Sequence, residues 1–230
     1  MKLKIINTKL GLAQENMDID QRLLADLDEP ILHLYQWQRP SLTHGHFIKP
    51  VDYLNLEALQ SKGIDMGKRP TGGGIIFHIW DWAFSVLVPA HHPKFSMNTL
   101  ENYKLINDAV RDAVKSFLGE TELLASDPEP INAATRHFCM AKPTIYDVML
   151  GSKKIAGSAQ RRTKKGFLHQ GSICLTQPDD ALLSAVLLEP AVHEAMKVHT
   201  YPLVERSELE RARNQIQNLL IKSLETHLAL

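Results

Sequence analysis

The chain has 230 residues, 44% of them apolar and 23% charged, with 26 Lys and Arg balanced by 26 Asp and Glu. This is ordinary globular usage with enough length for a substantial core, and it excludes long disorder and collagen-like or coiled-coil organisation. A formal charge of zero argues against a strongly basic nucleic-acid binder or a polybasic membrane binder, so neither kind of partner is expected.

No apolar run approaches the roughly 20 residues of a membrane helix. The run 182–188 is too short, and the run 75–90 is interrupted by His78, Asp81 and Pro89. Lys2 and Lys4 are followed by no long apolar stretch, so no signal peptide is expected. Cys139 and Cys174 are the two cysteines, too few for a secreted disulfide scaffold, and a reducing, cytoplasmic setting follows.

Along the chain, residues 2–7 read as a strand. Residues 16–27 read as a helix with Ile19, Leu23, Leu24 and Leu27 on one face. Strand formers fill 31–37 and stop before Pro40. Asp52 is suited to cap a short helix to about Gln60, ended by Gly63. Residues 75–77 and 83–88 read as paired strands. The clearest helix is 100–118, where Tyr103, Ile106, Ala109, Val110, Ala113, Val114 and Phe117 keep helical period before Gly119.

The breaker-rich run 127–130 (Asp-Pro-Glu-Pro) reads as a loop. Strands follow at 146–150, 154–160 and 167–175, with turns at Gly151-Ser152 and Lys164-Lys165-Gly166. A short helix is predicted at 181–187. Ser207 and Glu210 read as a capping box opening a last helix, with Ala212, Ile216, Leu219, Leu220 and Leu224 inward. Strand clusters broken by single helices indicate an α+β fold, a mixed or antiparallel sheet flanked by helices.

Two stretches carry candidate chemistry. In Lys68-Arg69-Pro70-Thr71-Gly72-Gly73-Gly74-Ile75-Ile76-Phe77-His78, three glycines free the backbone to approach a ligand, and Arg69 adds a cation suited to carboxylate or phosphate. Alone, the run reads as a tight turn with a surface arginine. In Gly151-Ser152-Lys153-Lys154-Ile155-Ala156-Gly157-Ser158-Ala159-Gln160, Lys154 precedes the small residues Gly157, Ser158 and Ala159, which leave room for substrate. Such a lysine can polarise an acyl carbonyl. Alone, it reads as a solvated hairpin lysine whose exposed amine adds little stability.

Together, and in this order, the two stretches resemble the biotin/lipoate protein ligase and octanoyl-transferase superfamily. Asn16-Met17-Asp18 with Leu23-Leu24, Leu34-Tyr35-Gln36-Trp37 with Gly45, and His169-Gln170-Gly171-Ser172-Ile173 extend the likeness over most of the chain. The resemblance implies a seven-stranded sheet flanked by helices, with a pocket where the glycine loop meets the lysine strand. It implies transfer of a lipoyl or octanoyl group to one lysine of a lipoyl carrier domain, such as a 2-oxoacid dehydrogenase E2 or the glycine-cleavage H protein. Lys154 is the implied catalytic cation. Arg69, Thr71, Gly72, Gly73, Gly74, His78, Gly157, Ser158 and Ala159 are the implied acyl- or nucleotide-binding residues. An eight-carbon chain needs an apolar slot, and Ile75, Ile76 and Phe77 can line one.

Two chemistries remain open. ATP-dependent ligases, with ATP and Mg2+, pass through a lipoyl-adenylate. Transferases carry the acyl group as a cysteine thioester, taken from an acyl carrier protein or another lipoyl domain, with no tightly bound cofactor. Cys139 lies in Arg136-His137-Phe138-Cys139-Met140-Ala141-Lys142-Pro143-Thr144-Ile145-Tyr146-Asp147, which resembles the transferase branch, where the loop cysteine is followed by Pro, Tyr and an acidic residue. Arg136, Lys142 and Lys154 nearby would favour its thiolate as nucleophile. Cys174 reads as core.

His78 and Ser85 are seven steps apart and lack the Gly-Asn that ligases insert; the spacing resembles transferases. Ile79 replaces the aspartate usual after that histidine, and Gly74 resembles ligases. A third reading is a non-catalytic relative that only holds an acyl ligand or carrier domain. Residues 1–230 are expected to form a single catalytic domain without the C-terminal accessory domain of long ligases. No metal site is expected, since His44-Gly45-His46 and His91-His92 read as scattered surface histidines. The basic run 161–165 reads as a solvated hairpin tip, a landing point for an acidic carrier domain or, in a ligase, for triphosphate.

Overall fold

A computed structural model describes residues 2–127, 135–177 and 179–229. The breaker run predicted at 127–130 therefore lies outside the described residues beyond Asp127.

Seven strands form one sheet in the order β1 (Lys4–Gly11), β2 (Ile31–Trp37), β6 (Asp81–Pro89), β10 (Gly166–Cys174), β9 (Lys153–Arg162), β8 (Val148–Leu150) and β7 (Glu122–Leu123). The β1–β2 pair is parallel and the others are antiparallel. A second, three-stranded sheet holds β4 (Asp65–Lys68), β3 (Ser41–His44) and β5 (Ile75–His78). The α+β expectation is met, and the small sheet is an addition to it. The predicted pairing of 75–77 with 83–88 is not formed. Those residues turn at Ile79-Trp80 and enter different sheets, because β5 pairs β3 and β6 pairs β2 and β10.

The central strands β6 and β10 are buried along their whole lengths. Side chains alternate across a strand, so each of these strands divides its residues between two environments. Trp82, Phe84, Val86, Val88, Phe167 and Ile173 form one core with Ile106, Ala109, Val110, Ala113 and Val114 of α3 (Thr99–Leu118) and Ile216, Leu220 and Leu224 of α6 (Leu209–His227). The alternating partners Asp81, Ala83, Ser85, Gln170 and Ser172 are small or polar. They face the side occupied by α1 (Ala13–Ala25) and the small sheet, where Gln170 and Ser85 bond Asp20 of α1. A second core joins the small sheet to α2 (Leu56–Ser61), α4 (Asp180–Val186) and α5 (Pro190–His199) through Leu42, Leu59, Phe77, Leu183 and Met196.

Two predicted caps give way to neighbours. Asn55, not Asp52, accepts the Ala58 N–H at the start of α2. The Ser207/Glu210 box does not form, because 206–208 is a short 3-10 turn and α6 begins at Leu209. Among the described residues, no helix is long and apolar enough to cross a membrane.

Candidate active site

The glycine loop 72–74 is built around Arg69. That side chain is only 5% exposed and is not the surface cation the sequence suggested. One terminal nitrogen donates to Thr43 O at 3.1 Å and Thr43 Oγ1 at 2.8 Å, the other to Gly72 O at 3.1 Å and Gly74 O at 2.7 Å. A planar guanidinium can satisfy such a fork, and here it fixes the loop to β3. Gly73 adopts φ +83°, a conformation open chiefly to glycine. Gly74 is required by contact, because a Cβ there would lie 2.2 Å from the carbonyl oxygen of His137.

That contact brings in the cysteine. Ile75 and Phe138 form a parallel bridge, and Cys139 N donates to Ile75 O at 3.0 Å. The loop bearing Cys139 is thereby laid along the start of β5. From the other side, Lys154 of β9 donates from Nζ to the carbonyl oxygen of Cys139 at 2.8 Å. Lys154 is 2% exposed, which corrects the solvated hairpin lysine. Its charge is held by Asp147 at 2.7 Å, and Asp147 also accepts from Thr144 N and Oγ1. Burial pushes the Asp147 carboxyl up, against the downward pull of the Lys154 ammonium and Thr144. An ammonium has three N–H donors. Two are committed here, leaving one uncommitted among the described residues.

A cavity of about 30 Å3 lies between these parts. Cys139, Arg69, His78 and Gly157, Ser158 and Ala159 line it, with Ile76, Met140, Met17 and Tyr35 supplying apolar wall. Lys154 stays behind this lining. Its Cε lies 2.3 Å from where a Gly157 Cβ would stand, so the glycine leaves the lysine its path to Cys139. Thr71 is likewise set back and donates from Oγ1 to Gln170 Oε1 at 2.6 Å. Ile75 and Phe77 line an adjoining cavity and not this one.

Sequence reasoning passed over the polar scaffold beneath the site. Thr43 Oγ1 meets His78 Nε2 at 2.8 Å, His78 Nδ1 meets Asp81 at 2.7 Å, and Ser172 donates to Asp81 at 2.5 Å. Trp37 stacks on His78 with centroids 4.2 Å apart. A second chain runs from Gln170 through Asp20 to His33 and Thr8. Asp20 shares a helical face with Met17 and Leu24, and His33 interrupts Ile31-Leu32 and Leu34. Both misfits in apolar patterns were legible signals of buried polar partners.

The other histidine expectations change. His44 and His92 are buried, not surface residues, and burial lowers the pKa of both. Among the described residues, no three His, Cys, Asp or Glu side chains gather as a metal-binding set. The basic run sits at the β9–β10 turn as expected, with Arg161 donating to Pro70 O at 3.3 Å. Cys174 is buried, and burial pushes its thiol up, as fits a core cysteine.

Residues 13–227 match the lipoyl protein ligase A/B catalytic domain. Octanoyltransferase LipM of Brevibacillus brevis is 31% identical over 177 residues, covering 74% of this chain and 64% of the relative. Octanoyltransferase LipM of Kyrpidia tusciae is 29% identical over 195 residues, covering 82% and 71%. Protein Ta0514 of T. acidophilum with bound lipoic acid superposes with a TM-score of 0.77 at 20% identity, covering 99% of this chain and 86% of that one. A lipoate-protein ligase A bound with ATP superposes with a TM-score of 0.72 at 23% identity, covering 99% and 85%. These two likenesses are of fold.

Proposed function

The chain belongs to the lipoyl protein ligase A/B catalytic domain family, and on that premise we propose that it transfers an octanoyl or lipoyl group to the acceptor lysine of a lipoyl carrier domain through a thioester on Cys139. The observation that carries this reading is the placement of Cys139. It is the one thiol among the described residues lining the cavity, seated between the glycine loop and the lysine strand. The likeness to octanoyltransferases supports an octanoyl group as the one transferred.

In the first half-reaction the Cys139 thiolate attacks the donor's acyl carbonyl. A new C–S bond forms, the donor's C–S bond breaks, and the donor leaves as thiolate. In the second, the neutral acceptor lysine amine attacks the Cys139 thioester. The amide C–N bond forms, the Cys139 C–S bond breaks, and the amine's proton ends on the departing sulfur or solvent. Each half-reaction places negative charge on the acyl oxygen. The uncommitted N–H of Lys154 is the donor we assign to that oxygen. Lys154 does not itself line the cavity, so the acyl oxygen meets it past Gly157, whose missing side chain leaves the gap. A preorganised cation in a site with little water stabilises developing charge. Splitting the transfer into two thioester steps is the ordinary gain of a covalent nucleophile. Arg69, through the glycine loop, and Asp147, through Lys154, are positioning residues.

The third glycine, which resembles ligases, also has a packing role in this chain. Gly74 is explained by the His137 carbonyl against it. The test is a mass measurement on a lipoyl domain incubated with the protein and either octanoyl carrier protein or lipoate plus ATP. Modification in the first mixture is expected. Modification in the second alone would establish the adenylate route, and none in either would leave a binder of acyl or carrier ligands.

A further inference from the structure

Behind the cavity at Cys139 lies a second one of about 20 Å3, walled by Ile75, Phe77, Trp80, Phe138, Met196 and Cys174. The two share Ile76, Met140 and Ser172, which form the partition between them. An internal volume of about 10–15 Å3 holds one water, whereas the engineered cavity that takes benzene measures about 150 Å3. The cavity at Cys139 therefore has room for about two waters. An eight-carbon chain enters only if part of the lining moves.

The three partition residues differ in what they can do. Ser172 is fixed in central β10, with Oγ bonded to Asp81 at 2.5 Å. Ile76 lies in β5, and its branched Cβ stiffens χ1. Met140 lies outside any helix or strand, one residue beyond Cys139, and its three rotatable bonds make it the adaptable member. The chamber behind it is walled mainly by apolar side chains, with Asp81, Ser172 and Thr200 as its polar members. Ser172 is bonded to Asp81 and Thr200 to the Met140 carbonyl, so the apolar wall offers hydrocarbon the larger contact.

We infer that Met140 is a chain-length gate, whose side chain swings aside to join the two cavities and seat the methyl end of the acyl chain between Trp80 and Cys174. The inference rests on the acyl-transfer reading for its biological substrate. The geometry itself requires only that an acyl chain enters beside Cys139.

Two experiments test it, one independent of activity. Bromine quenches indole fluorescence on contact, so ω-bromooctanoate bound with its far end in the second cavity should quench Trp80. The quenching should be saturable, should disappear in Trp80→Phe, and should be absent with saturating ω-bromobutanoate, which is too short to reach. Met140→Ala should raise the affinity for ω-bromododecanoate relative to ω-bromooctanoate by at least about tenfold, the usual worth of added methylenes in an apolar pocket. Met140→Leu, which keeps the bulk, should retain the wild-type ratio.

In transfer assays to a lipoyl domain, the kcat/KM ratio of dodecanoyl to octanoyl carrier protein should move the same way. No saturable quenching by ω-bromooctanoate, quenching that survives Trp80→Phe, equal quenching by the four-carbon acid, or an unchanged ratio in Met140→Ala would each overturn the gate. A wild-type protein that acylates no lipoyl domain would overturn the transfer reading instead, with the quenching data still deciding the gate.

Discussion

Lys154 Nζ stands 2.8 Å from the carbonyl oxygen of Cys139, a partly buried hydrogen bond that ties the lysine strand to the backbone of the cysteine loop. The same ammonium lies 2.7 Å from Asp147, and both side chains are 3% exposed. The catalytic cation of the proposed reaction is thus also a structural pin.

Removing that amine strands a buried carboxylate. Lys154→Met should destabilise the fold by about 3–5 kcal/mol, the usual result of breaking a buried ion pair from one side. This reverses the sequence expectation of a small effect from an exposed amine. Lys154→Met combined with Asp147→Asn should recover much of the loss while acyl transfer stays abolished. Urea midpoints and transfer rates on the three proteins check it. A single variant as stable as wild type would contradict the pairing.

The glycine loop makes a positional prediction. A Cβ at Gly72 meets nothing within 4 Å, whereas one at Gly74 meets the His137 carbonyl at 2.2 Å. Gly72→Ala should therefore transfer near wild-type rates. Gly74→Ala should displace the Cys139 loop, costing about 1–3 kcal/mol of stability as overpacking does, with a large fall in kcat. Equal effects of the two substitutions would contradict the packing account.

Arg69→Lys should also fail, although it preserves charge. A single ammonium cannot span Thr43 and the two glycine carbonyls that the guanidinium joins. Losing one or two charge-assisted bonds predicts about 2–4 kcal/mol of destabilisation. Thermal melts with transfer assays check this, and unaltered stability would show that the loop does not depend on the fork.

Much of this arrangement was legible in the sequence, and the remainder was not for identifiable reasons. The period of Ile106, Val110, Ala113 and Val114 reports burial against one face, and α3 forms over Thr99–Leu118 as read. The strand at Ile31–Trp37 and the hairpin of β9 and β10 carry their own turn and composition signals. The four-residue strands β3 and β4 were missed because their apolar content is low and their pairing is set by distant partners. Strand 75–78 was read correctly as a strand but given the wrong neighbour, since pairing partners are a tertiary matter. Lys154 and Arg69 were singled out by the motifs around them and by the resemblance those motifs carry. Their burial was not, because Asp147 and Thr43 reach them through the fold.

His169 gives a pH prediction. It is fully buried, and burial lowers its pKa to about 3. The unfolded chain would protonate it near the ordinary histidine value of about 6.5. Between these values the unfolded state binds the extra proton, so stability present above about pH 6.5 is lost as pH falls, by up to about 1.4 kcal/mol per unit. His169→Gln should flatten the dependence of the urea midpoint between pH 6.5 and 5. A slope equal to that of wild type would show that His169 is not the neutral buried group described.

The thioester on Cys139 is tested most directly by intact-protein mass spectrometry after incubation with octanoyl carrier protein and no ATP. The protein should gain one octanoyl mass, which neutral hydroxylamine removes, and peptide mapping should place it on Cys139. Cys139→Ala should lose both the adduct and modification of the lipoyl domain, while Cys174→Ala keeps both. A Cys139→Ala protein that still acylates the lipoyl domain, whether from octanoyl carrier protein or from lipoate and ATP, would contradict the thioester mechanism.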